Sequence, residues 1–386
     1  MSFFHPSIMY VHLPTLKRLL YYNIIKHFSI RRFVFTLVFL ILYLLLLTVV
    51  TVGRLVDELL FFGYRNTKID KPVFIIANPR SGTTYLHRLL CLDEERYSYT
   101  LLYHTILPCI SLVKLIQVLG WLDSKVGSPL RNFFDWLNGV VFAGWKNIHP
   151  MGFNQSEEDE GMFVFPLMTP GIFLLIPFIN EMDDSKFMDE MPAHKRKALM
   201  QYYVNSLQRF MYATGRNKIF LSKNVMSTGR FQCLIEHFPD AKVVYLIRNP
   251  YNVIPSFISM FTAAWKAHSP DVGDDSPEAR AWGELGIRYY QYFYEMRAKF
   301  PKNQLVTVAY KNLVERPYET VTSIYQQFDM PMSDAFLNRL EEKTKVSRTY
   351  KSKHSYSLEQ YGLTAKDIHE PLDMIFEEFG FEKLEA

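Results

Sequence analysis

Three stretches of this chain carry residues that can do chemistry. The first is Asn78-Pro79-Arg80-Ser81-Gly82-Thr83-Thr84, set between the apolar run Val73–Ala77 and the Leu-rich Tyr85–Leu90. A short β-branched and aromatic run reads as a buried parallel strand, and the Leu-rich segment reads as a helix. A tight polar loop entering a helix is an anion site, because first-turn N–H groups lack intrahelical partners and the dipole favours negative charge. Arg80 adds a fixed cation, Ser81, Thr83 and Thr84 add hydroxyl donors, and Gly82 permits the turn. The second stretch is Arg248-Asn249-Pro250, directly after the strand-like run Lys242–Ile247, with Ser256 on the helix that follows. In open α/β sheets ligands bind at the carboxyl ends of strands. A cation there, where many nucleotide hydrolases place an Asp for magnesium, suits a phosphate bound directly. The third is His149-Pro150-Met151-Gly152, followed by the four acids Glu157, Glu158, Asp159 and Glu160. These supply proton acceptors. The acids also fit a helix start, with Ser156 as N-cap and Asp159 and Glu160 in the first turn.

Pro79–Thr84 after a strand resembles the 5′-phosphosulfate loop of sulfotransferases that use 3′-phosphoadenosine 5′-phosphosulfate. Phe238–Pro250, with Ser256 beyond, resembles their 3′-phosphate-binding strand and helix. The first loop is not a Walker A loop, because the Gly-Lys-Ser/Thr end is missing. The resemblance covers roughly residues 71–370 and implies a P-loop-like parallel sheet with helices on both faces. It implies 3′-phosphoadenosine 5′-phosphosulfate as cosubstrate, without a metal, held by Arg80, Ser81, Gly82, Thr83, Thr84, Arg248 and Ser256. Arg80, where many soluble relatives have Lys, becomes the stabiliser of the leaving phosphate. The membrane-associated branch carries a similar His-Pro…Glu-Glu-Asp-Glu segment, which makes His149, Glu157 and Glu158 the candidate bases. His104 and His87 are weaker candidates, His87 being expected as structural.

Other matches are looser. Phe220-Leu221-Ser222-Lys223-Asn224 stands where the family often has Leu-Lys-Ser-Pro; with Lys and Ser transposed, no binding role is carried onto Lys223. Tyr310–Pro317 resembles the family's Tyr-Glu-Asp-Leu turn, with Lys311 and Asn312 replacing its acids. His354–Leu363 is similar to the C-terminal segment of the membrane-associated branch; with Lys351 and Lys353 it is either a cover for the donor or a solvated basic tail. Two other readings stay open: a nucleotide-dependent kinase or NTPase of related architecture, and a non-catalytic membrane scaffold.

A scaffold must bring these stretches together. Strand-like runs recur at 219–223, 242–247 and 304–309. Between and after them lie helical segments at 198–212, 229–238 and 251–261, a long one reaching about Phe300, and others at 318–328 and 333–342, with a loop at 266–280. That alternation implies an α/β domain, here 71–386, built on a parallel sheet. The chain has 386 residues, 49% of them hydrophobic, and a net charge of +4, with no long basic run that would mark a nucleic-acid tract. Three scattered cysteines suit neither a disulfide framework nor a zinc site. No Gly-x-Ser-x-Gly hydrolase signature occurs.

Ahead of the domain, Phe33–Val52 carries no charge and is long enough for a hydrocarbon core, which takes about 20 apolar residues. We expect a basic amphipathic interface segment over 1–32, a membrane helix over 33–52, crossing or dipping back, and a linker over 53–70. The bilayer is therefore an expected partner. Two further apolar stretches, 97–121 and 162–179, are expected to wall a pocket that opens towards lipid, which favours a lipid-like or other amphiphilic acceptor. Lys and Arg are nearly balanced across the apolar run, so they do not orient it. The sequon Asn154-Gln155-Ser156 beside the acidic cluster would place a glycan on the site, which argues for a cytoplasmic domain over a Golgi-lumenal one.

Overall fold

The five-residue run Val73–Ala77 (β1) is buried along its whole length, as an inner strand of a parallel sheet must be. The computed structural model describes residues 5–141, 152–182, 185–347 and 357–384. Within it, β1 is joined by Tyr97–Tyr99 (β2), Ile219–Lys223 (β3), Lys242–Ile247 (β4) and Leu305–Ala309 (β5). All pairings are parallel, and the order is β2-β3-β1-β4-β5. β1 lies between β3 and β4, in register Ile75↔Lys223 and Ala77↔Leu246. The carboxyl ends of these three strands therefore adjoin, and the loops leaving them share one edge of the sheet. Edge strand β2 lies inside the stretch read only as apolar; at three residues it offers too little alternation to be seen.

The N-terminal elements differ from expectation. Leu13–Leu20 (α1) continues as a π-helical turn over Tyr21–Lys26. It is docked rather than free, since Leu19 is fully buried and the His12 N–H donates to Pro166 O. The apolar helix runs Ile30–Leu60 (α2), beyond both ends of 33–52 and well into the expected linker, with Ser29 capping its start. One face stays in contact with the body throughout. The Tyr43 hydroxyl donates to Phe165 O (2.7 Å), and the Asp57 carboxylate accepts from the N–H groups of Ile110 and Ser111 (2.8 Å each). Gly53 permits the closest approach, since a Cβ there would lie 2.7 Å from Cys109 Sγ.

After β1 comes Thr83–Leu90 (α3), then Leu102–Ile106 (α4), Ile110–Lys125 (α5) and Pro129–Val141 (α6). Buried Asp123 shapes the α5–α6 corner by accepting from Leu130 N and Arg131 N. Gly161–Val164 (α7) begins later than expected. Ser156 is not its N-cap but bridges to Leu101, and Asp159 turns inward. The 162–179 stretch is core, not pocket wall: Met162, Phe163, Phe173, Ile176 and Ile179 are all buried. Ala193–Thr214 (α8), Phe231–His237 (α9), Pro250–His268 (α10) and Pro277–Arg297 (α11) pack on the same side as this stretch. Most of the expected 266–280 loop falls between the last two. Tyr310–Glu315 (α12) follows β5, and Pro317–Gln327 (α13) and Asp334–Ser347 (α14) join α3 on the opposite face of the sheet. Helices cover both faces, as expected of this fold class.

Candidate active site

The loop after β1 is wound more tightly than an ordinary strand-to-helix turn. Arg80 (φ 71°) and Gly82 (φ 90°) both occupy the left-handed region, which bulky residues rarely enter. A Cβ on Gly82 would lie 2.8 Å from the ring of Tyr310, so the glycine is required by both conformation and space. The loop leads into α3, with Ser81 and Thr83 buried and Gly82 and Thr84 partly open. Buried Asn78 ties its start to α11 by donating to Gly286 O (2.9 Å).

The second anion stretch joins the first directly. Arg80 Nε donates to Ser256 Oγ (3.0 Å), and Arg248 Nη1 donates to Arg80 O (2.6 Å). The Arg248 guanidinium lies 4.3 Å from the Tyr310 ring centroid, a stacking that fixes its plane. Tyr290 secures the turn behind it by donating to Arg248 O (2.7 Å). Arg248 Nε is buried without a protein partner among the described residues, a donor left over for a ligand oxygen. Asn249 caps α10, with Pro250 at its first position, and that start sets Ser256 facing the loop. Two cations, several hydroxyls and a helix N-terminus thus form one continuous anion-binding edge.

On the β3 side of Thr84 lies a charged cluster. Lys223 Nζ, fully buried at the end of β3, is 3.3 Å from Glu158 Oε1, 3.4 Å from Glu157 Oε1 and 3.3 Å from Thr84 Oγ1. Glu157 also accepts from the Glu158 N–H, and its backbone pairs with Thr100 next to β2. Its side chain is 8% exposed and that of Glu158 is 19% exposed, so Glu158 is the carboxylate more open to an acceptor.

The remaining acids of the run hold the strand rather than face the site. Asp159 is completely buried and accepts from Tyr203, Ser222 and Asn224. Burial raises its carboxyl to about 6, against the pull of those donors. Glu160 pairs with Arg230 at 2.8 Å and accepts from Thr169.

Arg80, Ser81, Gly82, Thr83, Thr84, Arg248, Ser256, Glu157 and Glu158 thus meet at one edge of the sheet, and His149 lies outside the described residues. The weaker histidines have structural roles. His87 is buried between Cys91 and Tyr99, and burial lowers it to about 3, with the Lys223 charge acting in the same direction. His104 accepts from Leu101 N and is lowered by burial to about 4. Lys223 is the residue that sequence reasoning passed over. Its signal was positional: a cation ending an otherwise buried run on the same sheet edge as Arg80 and Arg248. In the C-terminal segment, Ser357–Leu363 is described, and Tyr361 and Leu363 pack into the core, Leu363 beside Gly283 of α11. Lys351, Lys353 and His354 lie outside the described residues.

Residues 72–334, more than half of the chain, match the sulfotransferase family. The omega-hydroxy-beta-dihydromenaquinone-9 sulfotransferase Stf3 of Mycobacterium tuberculosis is 24% identical over 326 residues, spanning 81% of this chain and 76% of that protein. The Mycobacterium bovis protein of the same name matches equally well. Among solved structures, sulfotransferase STF1 from M. tuberculosis superposes with a TM-score of 0.64 at 21% identity, covering 93% of this chain and 91% of that one. Sulfotransferase STF9 from Mycobacterium avium superposes with a TM-score of 0.69 at 16% identity, covering 86% and 82%. At these identities the superpositions establish a shared fold.

Proposed function

The chain belongs to the sulfotransferase family, and from that premise we propose that it moves a sulfuryl group from 3′-phosphoadenosine 5′-phosphosulfate to a hydroxyl, or an amine, of a lipid-like acceptor. The observation that carries this reading is the continuous edge Thr84–Arg80–Ser256–Arg248, flanked on one side by the Lys223–Glu157–Glu158 cluster. The left-handed Gly82 cradle, with no room for a Cβ, and the unpartnered Arg248 Nε fit a ligand with two phosphate groups. Arg80, Thr83, Thr84 and the first turn of α3 receive the phosphosulfate end. Arg248 and Ser256 receive the 3′-phosphate.

In the reaction the acceptor oxygen attacks sulfur, the bond from sulfur to the bridging phosphate oxygen breaks, and the nucleotide leaves as 3′-phosphoadenosine 5′-phosphate. Negative charge grows on that bridging oxygen, where Arg80 and the α3 N-terminus stabilise it without moving. Arg80 serves as a fixed charge and not as a proton donor. Glu158 takes the acceptor's proton, while Lys223 and Glu157 hold it at the edge of the phosphosulfate site. His149 remains the other candidate base.

Two observations support a lipid-like acceptor. The name of the mycobacterial relative specifies a hydroxylated menaquinone. In this chain, α6 exposes Phe133, Phe134 and Trp136 and touches the approach to Glu157, where Phe153 N donates to Asn138 Oδ1 and the Phe134 and Phe153 rings meet edge-on. A cytoplasmic position agrees with three buried free thiols and with an exposed, sequon-bearing Asn154 next to the site.

Calorimetric titration of the purified chain with 3′-phosphoadenosine 5′-phosphate, with and without magnesium, tests the reading. Binding that does not need the metal is expected. No binding would overturn sulfuryl transfer, and magnesium-dependent binding would favour a kinase or NTPase. Incubating membranes with labelled donor should place the label in the lipid extract; label confined to water-soluble products would remove the lipid acceptor.

A further inference from the structure

We propose that α2 does not cross the bilayer but lies along its surface, so that the protein is monotopic and rests on one leaflet through α2 and the α5–α6 corner. The helix is long and apolar enough to span. Its 31 residues are about 46 Å long, well beyond the roughly 30 Å of a hydrocarbon core.

What argues against a crossing is how α2 is tied down. At its start Arg32, 4% exposed, pairs with Asp271 between α10 and α11 at 2.7 Å. In the next turn Thr36 accepts from Asn23, and at mid-length Tyr43 reaches Phe165 O. Near the end, fully buried Arg54 donates to Ser206 Oγ, Ile8 O and Pro108 O, and Asp57 caps α5. Arg32, Thr36, Tyr43, Val50, Arg54 and Asp57 recur at helical spacing, so a single face is held by the catalytic domain from one end to the other. Were α2 upright, the body that holds it from Arg32 to Asp57 would sit beside it at hydrocarbon depth. Backbone outside helices and closed barrels is not tolerated in contact with lipid.

The opposite face is uncharged and open. Leu37, Ile41, Leu44, Leu45 and Val52 are each about half exposed or more. α5 docks on α2 through the Asp57 cap and the Gly53–Cys109 contact, and it continues the apolar surface with Leu115, Val118 and Trp121. Lys17, Arg18, Arg31, Lys125 and Arg131 are exposed on the flanking elements, where anionic headgroups would meet them. Trp121 and Trp136 supply the amphipathic rings favoured at the headgroup level. This combination of wide apolar face, basic flanks and interfacial tryptophans fits a leaflet better than a second copy of the chain.

The test uses the full-length chain in cell membranes. The native cysteines are buried and should stay silent, so Lys17→Cys and Asn66→Cys report the two sides of α2. With a membrane-impermeant maleimide, both should react in the same preparation, inverted vesicles or spheroplasts, and both be protected in the other. Labelling of the two from opposite faces would overturn the proposal. A fluorophore at Leu45→Cys should blue-shift on addition of anionic vesicles. Val38→Glu with Leu45→Glu should weaken vesicle partitioning by roughly tenfold or more while nucleotide binding is retained. An unshifted fluorophore, or a detergent-free dimer in which the label is shielded by the partner copy, would also overturn it.

Discussion

Replacing Lys223 with Met would remove the only cation that both Glu157 and Glu158 contact in the described ion pairs. Methionine keeps most of the side-chain length, so packing is largely preserved and the change is electrostatic. Removing one partner of a buried ion pair typically costs about 3–5 kcal/mol, because the other charge is left desolvated. Here two carboxylates lose that contact, at 8% and 19% side-chain exposure. The second is open enough for water to relieve part of the penalty, so a loss of about 3 kcal/mol is expected. Urea unfolding of detergent-solubilised protein measures the loss. Adding Glu157→Gln should recover part of the loss, with a coupling of about 1 kcal/mol or more. A deficit below about 1 kcal/mol would refute the assignment of Lys223 as the charge that holds this cluster.

Gly82→Ala must enter the left-handed region at about 1–2 kcal/mol and also displaces the Tyr310 ring; nucleotide affinity should fall by roughly tenfold or more, read by calorimetry. Glu158→Gln should lower turnover by about two to four orders of magnitude and leave 3′-phosphoadenosine 5′-phosphate binding nearly unchanged; equal turnover in a single-turnover assay would transfer the base role elsewhere. Asp159 is held at about 6, above its unfolded value, so the native state keeps this proton and stability should decline by roughly 3 kcal/mol as pH rises from about 4 to 6, then level off. His87 and His104 are lowered and act in the opposite sense, so the parent must be compared with Asp159→Asn, in which the decline should be absent.

The parts of the chain legible in advance were those where one local signal dominates. β1, β3 and β4 read correctly because buried parallel strands are continuous apolar runs, and the turn from β1 into α3 was legible because its proline and glycine interrupt both runs. Lys223 was missed because a lysine in a strand run is ordinary until the partner loops are in place. Only the sheet order, which sets Ile75 opposite Lys223, brings it to Thr84 and the glutamates. The acidic run was half legible. Its four members look alike in sequence, yet Glu157 and Glu158 face the site, while Asp159 and Glu160 hold β3 and Arg230. The expected break after Val52 failed for a similar reason. Gly53 and Arg54 look like a membrane exit, but tertiary contacts make one a close-packing point and the other a buried anchor.

The contacts at the end of α2 also bear on how the protein can be handled. Fully buried Arg209 on α8 finds its acids in Asp57 (3.3 Å) and Glu58 (2.6 Å), both on α2. A chain trimmed to the family-matched residues would strip Arg209 of both acids and of the Ser7 and Tyr64 contacts that cover it. It would also uncap α5 and expose the underside of α8. Trimming the apolar helix to gain solubility should therefore yield aggregated protein, whereas polar substitutions on its outward face leave the Arg54–Asp57–Arg209 cluster intact. The helix that makes the protein greasy is also a wall of its core, and solubility has to be engineered on its surface.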